Sequence, residues 1–168
     1  GTHVAGTIGA VANNEIGGAG GLWHTRILPV RVLGKCGGPA SDVIDGMRWA
    51  VGLPVPGVPD NPHPARIVNV SLGTSQPCSR AMQAAIDDVL ARGASVVAAA
   101  GNGGFEVGEP ASCRGAIAVA AVDADGSKPA FSNSGTRIDV GAPGVGIWST
   151  ANTGLTVPGE DTYLGKNG

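Results

Sequence analysis

The chain is short of charge. Of its 168 residues 11 are Lys or Arg and 13 are Asp or Glu, so charged residues make up 14% of the total, well below the usual quarter. The net charge is −2, so there is no basic excess to meet nucleic acid or an anionic membrane. No apolar run approaches the ~18 residues that a bilayer-crossing helix needs. Cysteine is scarce as well. Cys36, Cys78 and Cys113 form no C-x-x-C pair and no Cys/His cluster at zinc spacing. They read either as three buried thiols or as one disulfide with an odd cysteine left over, and the second case belongs to an oxidising compartment.

What is plentiful is glycine, with 29 residues, and proline, with 12. Both punctuate apolar runs instead of forming tracts, which reads as many tight turns and not as disorder. The length suits one domain, residues 1–168, able to bury a core. No internal repeat is present.

Short β-branched runs alternate with helical patterns. Residues 27–33 (ILPVRVL), 67–72 (IVNVSL), 95–100 (SVVAAA) and 116–122 (AIAVAAV) read as strands. Residues 41–51 read as a helix with Ser41 as N-cap, and Val43, Ile44, Met47 and Ala50 follow its spacing. Residues 79–91 read as a second helix with Met82, Ala85, Ile86, Val89 and Leu90 on one face, closed by Arg92-Gly93. Strands alternating with helices imply parallel pairing through right-handed crossovers. Strands that are apolar almost throughout suit a sheet covered on both faces. The expected class is α/β, doubly wound and mostly parallel, with helices on both faces. In such sheets the chemistry lies beyond the carboxyl ends of the strands. Residues 53–65 (LPVPGVPDNPHPA) carry five prolines and read as a stiff surface loop.

Local sequence leaves the chemistry open. Gly101-Asn102-Gly103-Gly104 follows a strand but lacks the G-x-G-x-x-G spacing of a dinucleotide loop. Taken alone it is a turn. Gly17-Gly18-Ala19-Gly20-Gly21 has no strand leading into it. Asp87-Asp88 lies on a helix, where adjacent residues do not face each other, and reads as a solvated face and not as an acid–base couple.

Four segments in order change that reading. Gly1-Thr2-His3-Val4-Ala5-Gly6-Thr7 resembles the H-G-T-H-V-A-G-T segment of the subtilases, a family of serine proteases, without its first histidine. Asn69-Val70-Ser71-Leu72-Gly73 resembles their substrate-binding strand, and Val97-Ala98-Ala99-Ala100-Gly101-Asn102 the strand that ends in the oxyanion-hole asparagine. Asp139-Val140-Gly141-Ala142-Pro143-Gly144 resembles the V-x-A-P-G segment, and Lys166-Asn167-Gly168 the approach to G-T-S-M-A. The resemblance runs from Gly1 to Gly168. It implies a catalytic histidine immediately before Gly1, an aspartate on an earlier strand, and a nucleophilic serine two positions after Gly168. The chain is then an internal part of the catalytic domain, inactive by itself. His3 falls one helical turn after the catalytic histidine and serves structure.

The resemblance implies a secreted, monomeric endopeptidase made with a propeptide and acting on polypeptides, with no nucleic-acid or membrane partner. Asn102 would stabilise the oxyanion. Ser71, Leu72 and Gly73 would pair with an extended substrate, while Ala99, Ala100 and Gly101 form the opposite wall of the specificity pocket and Gly108 its floor. Residues 12–18 resemble the family's calcium loop, with Asn14 giving its side-chain oxygen and Ile16 and Gly18 their carbonyls to a structural Ca2+. An upstream aspartate ligand of the family is missing, and a plain Asn-rich turn remains the other reading. Cys78 and Cys113 would fall on one rim of the pocket and pair, with Cys36–Cys78 the rival pairing, and Cys36 would be left over, its position being one that related subtilases bridge to a cysteine before the catalytic histidine. Two rivals stand beside this. One is a non-catalytic subtilase-like protein that binds peptides or supports a scaffold. The other is a nucleotide-binding α/β domain.

Overall fold

The structure is a computed structural model that describes residues 1–168. In chain order its elements are α1 (Thr2–Gly9), α2 (Ala40–Ala50), β1 (Ile67–Val70), α3 (Arg80–Ala91), β2 (Ser95–Ala99), β3 (Ala116–Val122), β4 (Val140–Pro143), β5 (Ile147–Asn152) and β6 (Asp161–Lys166). They fall into two compact units, Gly1–Pro29 with Gly144–Asn167, and Val30–Pro143 with Gly168.

The larger unit is built on a sheet in the order β1-β2-β3-β4, parallel throughout. Its strands are made of small and β-branched residues. β2 is paired on both edges, Val68 with Val96 on one and Val96 with Ala116 on the other. Val96 and Ala118 are fully buried and Ala98 nearly so. The link from β3 to β4 contains no helix. It is held by Asp139, whose carboxylate accepts from the Ala118 N–H at 2.8 Å.

α3 supplies the apolar stripe expected of it. Ala85, Ile86 and Val89 are fully buried and Met82 nearly so, whereas Leu90 is 37% exposed. Ser79 is the N-cap, its hydroxyl accepting from the Met82 N–H at 3.2 Å. Gly93 closes the helix in the left-handed region (φ 72°), and its N–H donates to Leu90. α2 differs from expectation at its start. Pro39 is the N-cap, with no side-chain cap bond, and Ser41 lies inside the first turn, its hydroxyl donating to Asp42. Proline occupies that boundary without loss because its φ suits it and the first N–H groups have no helical partner. α2 and α3 are joined by Arg48 and Asp88 at 2.8 Å, and Asp87 accepts from Gln83 one turn earlier. The Asp87-Asp88 pair is therefore split between two partners.

Residues 27–33 do not form the expected strand, since no ladder includes them. β-branched propensity makes an extended segment, but a strand also needs a partner backbone, and Pro29 has no N–H to offer one. Val30 and Val32 still alternate inward and pack on the core. A Cβ at Gly46 of α2 would stand 2.5 Å from Val32, so the glycine admits that contact.

The proline-rich loop 53–65 is pinned at one buried residue. Asn61, 8% exposed, donates from Nδ2 to the carbonyls of Trp49 (3.1 Å) and Ala50 (3.0 Å) at the end of α2. Its Oδ1 accepts from the His63 N–H at 2.8 Å.

In the smaller unit β5 and β6 form an antiparallel hairpin and α1 packs on β5. Nε2 of His3 lies 2.9 Å from the Ile147 carbonyl and 3.1 Å from that of Leu164. Carbonyls only accept, so this nitrogen carries the hydrogen. His3 has the structural task the sequence implied. No helix of the chain is long and apolar enough to cross a membrane.

Asn61→Ala is expected to lower the unfolding free energy by about 1–2 kcal/mol, since each carbonyl keeps one other partner. Calorimetric melting of the variant against the parent measures it, and an unchanged melting temperature would contradict it.

Candidate active site

The carboxyl ends of β1 and β2 open into a cavity of about 380 Å³. β1 stops pairing at Val70. Ser71, Leu72 and Gly73 continue past the ladder and line one wall. Their main-chain groups are thus outside the sheet's pairing. The Ser71 hydroxyl accepts from Asn69 Nδ2 at 2.9 Å, and Leu72 is half-buried against the core. β2 ends one residue before Ala100, which is anchored by its N–H to the Val119 carbonyl at 2.8 Å. Ala99, Ala100 and Gly101 line the opposite wall.

Asn102 follows at the tip, exposed to solvent. Its side chain takes part in none of the hydrogen bonds within the chain, so its amide is free to donate outward. The backbone of Gly168 passes beside it: a Cβ there would stand 2.9 Å from Asn102 Nδ2.

The wall at Ser71 to Gly73 is tied, just past its end, to the segment around Glu109. Thr74 N–H donates to the Glu109 carbonyl at 3.0 Å and Glu109 N–H to the Gln76 carbonyl at 2.8 Å. A Cβ at Gly73 would come within 2.8 Å of the Glu109 carbonyl oxygen, so a side chain would wedge this wall away from the Glu109 segment. Gly108 stands elsewhere than expected. It does not line the cavity; it is buried behind Thr74, onto whose carbonyl oxygen a Cβ would fall. The lining position is its neighbour Glu109, and the glycine's role is close backbone approach.

Phe105, Glu109 and Asn133 are among the lining residues that were not singled out from sequence. Glu109 is 9% exposed, and its carboxylate accepts from the Ser79 N–H at 2.8 Å, at the N-terminus of α3. That placement compensates its burial through a charge-assisted bond and the helix dipole. Asn133 is 5% exposed and comes from the link between β3 and β4. Neither stands at a spacing that marks it, because each reaches the cavity through pairing with a segment about 30 residues away.

Cys78 and Cys113 form a disulfide with Cα atoms 5.0 Å apart, within the bridging range. It ties the start of α3 to the chain just beyond Glu109, beside that junction. Cys36 is free and exposed, in the turn bounded by Gly34 and Gly37.

Asn14, Ile16 and Gly18 lie in the smaller unit on an exposed turn. Asn14 Oδ1 accepts from the Ile16 N–H at 3.2 Å, an Asx turn that leaves the oxygen a second lone pair. Asn13, Glu15 and Gly17 are left-handed, with φ near 60°. The donors are oxygens of the kind calcium takes, so they fit it in type. No carboxylate cluster stands among them.

A cleft at the carboxyl ends of a parallel sheet is the binding position of open α/β proteins, which sets the class. A model described as the subtilase family matches residues 1–168, and the chain belongs to that family. It is 51% identical to an extracellular protease of Xanthomonas campestris pv. campestris, and 45% identical to an extracellular basic protease of Dichelobacter nodosus, over its whole length in both cases. The matched regions are 29% and 28% of those proteins. A solved structure described as proteases from Pseudoalteromonas arctica PAMC 21717 superposes with a TM-score of 0.95 at 44% identity, covering 99% of this chain and 52% of that one. The chain thus spans less than a third of two relatives and about half of the third. The fold is subtilisin-like α/β.

Removing the bridge as Cys78→Ser/Cys113→Ser should lower stability by about 3–4 kcal/mol in the chain-entropy account, for cysteines 35 residues apart. Denaturant unfolding measures it. A loss under about 1 kcal/mol would mean that the hydrogen bonds between Thr74, Gln76 and Glu109 hold this junction without the bridge.

Proposed function

We propose that the chain is the central part of the peptidase domain of a secreted serine endopeptidase, and that Asn102 donates to its oxyanion. The observation that carries this is the side chain of Asn102, exposed and unbonded at the end of a strand paired on both edges. Such a group stands on a backbone that is fixed before the reaction begins, with a free amide N–H to donate when charge develops on the carbonyl oxygen. Family membership supplies the reaction class.

An extended polypeptide would add as a strand along Ser71, Leu72 and Gly73, whose main-chain groups lie outside the ladder. The side chain before the scissile bond would enter between them and Ala99, Ala100 and Gly101. The nucleophilic serine, the histidine that takes and returns its proton, and the aspartate that holds the imidazole belong to sequence flanking residues 1–168. Gly168 beside Asn102 supports this, because a serine two positions later starts from the donor's vicinity. Secretion is supported by the relatives named extracellular proteases and by the Cys78–Cys113 disulfide. The mature enzyme acts on polypeptides as a monomer released from a propeptide, as the resemblance implies. Asn14, Ile16 and Gly18 would hold a structural Ca2+ through neutral oxygens, which would brace the exposed turn and take no part in the chemistry.

The full-length enzyme should hydrolyse casein and be labelled by a fluorophosphonate. Asn102→Ala should keep the labelling site and KM but lose about 10²–10³ in kcat, a magnitude taken from removal of the same donor in a subtilisin, a member of this family. A protein inert to the probe would be a non-catalytic relative. A kcat loss below about threefold would take the oxyanion role from Asn102.

Calcium binding only the native state should stabilise it by about 2.7 kcal/mol at a hundred times Kd. Thermal unfolding with calcium against chelator reads this out, and Asn14→Ala should abolish most of the difference. Equal curves for the unsubstituted enzyme would remove the site.

A further inference from the structure

We propose that Asn133 is a positioning residue for the oxyanion donor, its side-chain amide holding the turn after β2 in the shape that aims Asn102 into the cleft. This rests on the reading of Asn102 given above. After Ala100 the chain leaves the sheet and turns, so its main-chain groups must find partners elsewhere. Asn133 supplies most of them. Its Nδ2 donates to the Ala100 carbonyl at 2.9 Å. Its Oδ1 accepts from the N–H groups of Gly103 (2.9 Å) and Phe105 (3.0 Å). Its own N–H donates to the Gly101 carbonyl at 2.9 Å. The four bonds fall on both sides of Asn102 and leave Asn102 itself untouched. That pattern fixes the residue's backbone while freeing its side chain.

Two further features show a built arrangement. Gly101 has φ 106°, and a Cβ there would stand 2.5 Å from Asn133 Nδ2. The glycine therefore both adopts the left-handed turn and admits the amide. Asn133 is in turn held by its neighbour: Ser132, fully buried, accepts on Oγ from the Ala121 N–H of β3 at 3.0 Å. The turn is thus referenced to the sheet twice, through β2 directly and through β3 by way of Ser132 and Asn133.

The amide suits this task chemically. It presents one donor edge and one acceptor with two lone pairs, which is what one carbonyl and two N–H groups require. A carboxylate would keep the acceptor and face the Ala100 carbonyl with negative charge. An oxyanion donor acts over tenths of an ångström, and a misplacement of ~1 Å can cost about 10²-fold in rate. A relaxed turn should therefore leave substrate binding largely intact and weaken the transition state.

The test is a double-mutant cycle in the full-length enzyme, with kcat and KM measured for Asn102→Ala, Asn133→Ala, both together, and Asn133→Asp. Asn133→Ala should lower kcat about 10–100-fold with KM changed less than about threefold. In the Asn102→Ala background the same change should cost less than about threefold, because the donor it positions is gone. Asn133→Asp, which keeps the acceptor arm but sets a carboxylate against the Ala100 carbonyl, should lower kcat to a similar degree. Equal losses in both backgrounds would mark general structural damage and overturn the proposal, as would a loss under about threefold for Asn133→Ala. If Asn133→Ala fails to fold, Asn133→Asp takes its place in the cycle with the same criterion of non-additivity. An Asn102→Ala loss that is itself negligible overturns the oxyanion reading, a result separate from additivity at Asn133.

Discussion

The cleft depends on one constraint, that β2 is hydrogen-bonded along both edges. A strand paired on both sides cannot slide without breaking two ladders, and a register slip would turn Val96 and Ala98 out of the core. The place where the chain leaves the sheet is therefore fixed. Every group that follows Ala99 inherits that position, and the wall at Ser71 to Gly73 inherits it through β1.

Small residues are the second requirement. β2 and β3 read SVVAA and AIAVAAV. Alanine contributes little apolar area per residue, so the core takes its bulk from α2 and α3, where Met47, Met82, Ile86 and Val89 are buried. On the cleft side the same smallness leaves space between the walls. Gly73 and Gly108 do the corresponding work for the backbone, letting the segments around Thr74 and Glu109 meet closely enough to hydrogen-bond. The disulfide closes this junction from the side of α3.

Charge is used sparingly, and where it meets the core or joins helices it has a local reason. Glu109 is buried but meets a helix N-terminus and a main-chain N–H. Asp139 replaces a missing ladder partner for Ala118. Arg48 and Asp88, both partly exposed, join two helices at modest gain.

Much of this was legible in the amino-acid sequence. Helical periodicity located α3 and its cap, alternation of strand and helix implied a parallel sheet, and four ordered motifs placed Asn102 and its two walls. These features are local, carried by spacing and by residues whose own backbone or side chain does the work. What sequence missed was contact between distant segments. Residues 27–33 have strand propensity but no partner in the sheet. Ser41 is a good cap residue that sits two positions too late, because the helix begins at Ala40 with Pro39 as its cap. Gly108 looked like a pocket floor and is a packing point one residue away from it. Asn133, Asn61 and Glu109 carry no local mark, since an amide or carboxylate in a loop is ordinarily solvated. Their roles exist because folding brings otherwise unpaired main-chain groups within reach, and only the tertiary structure decides which polar side chain meets them.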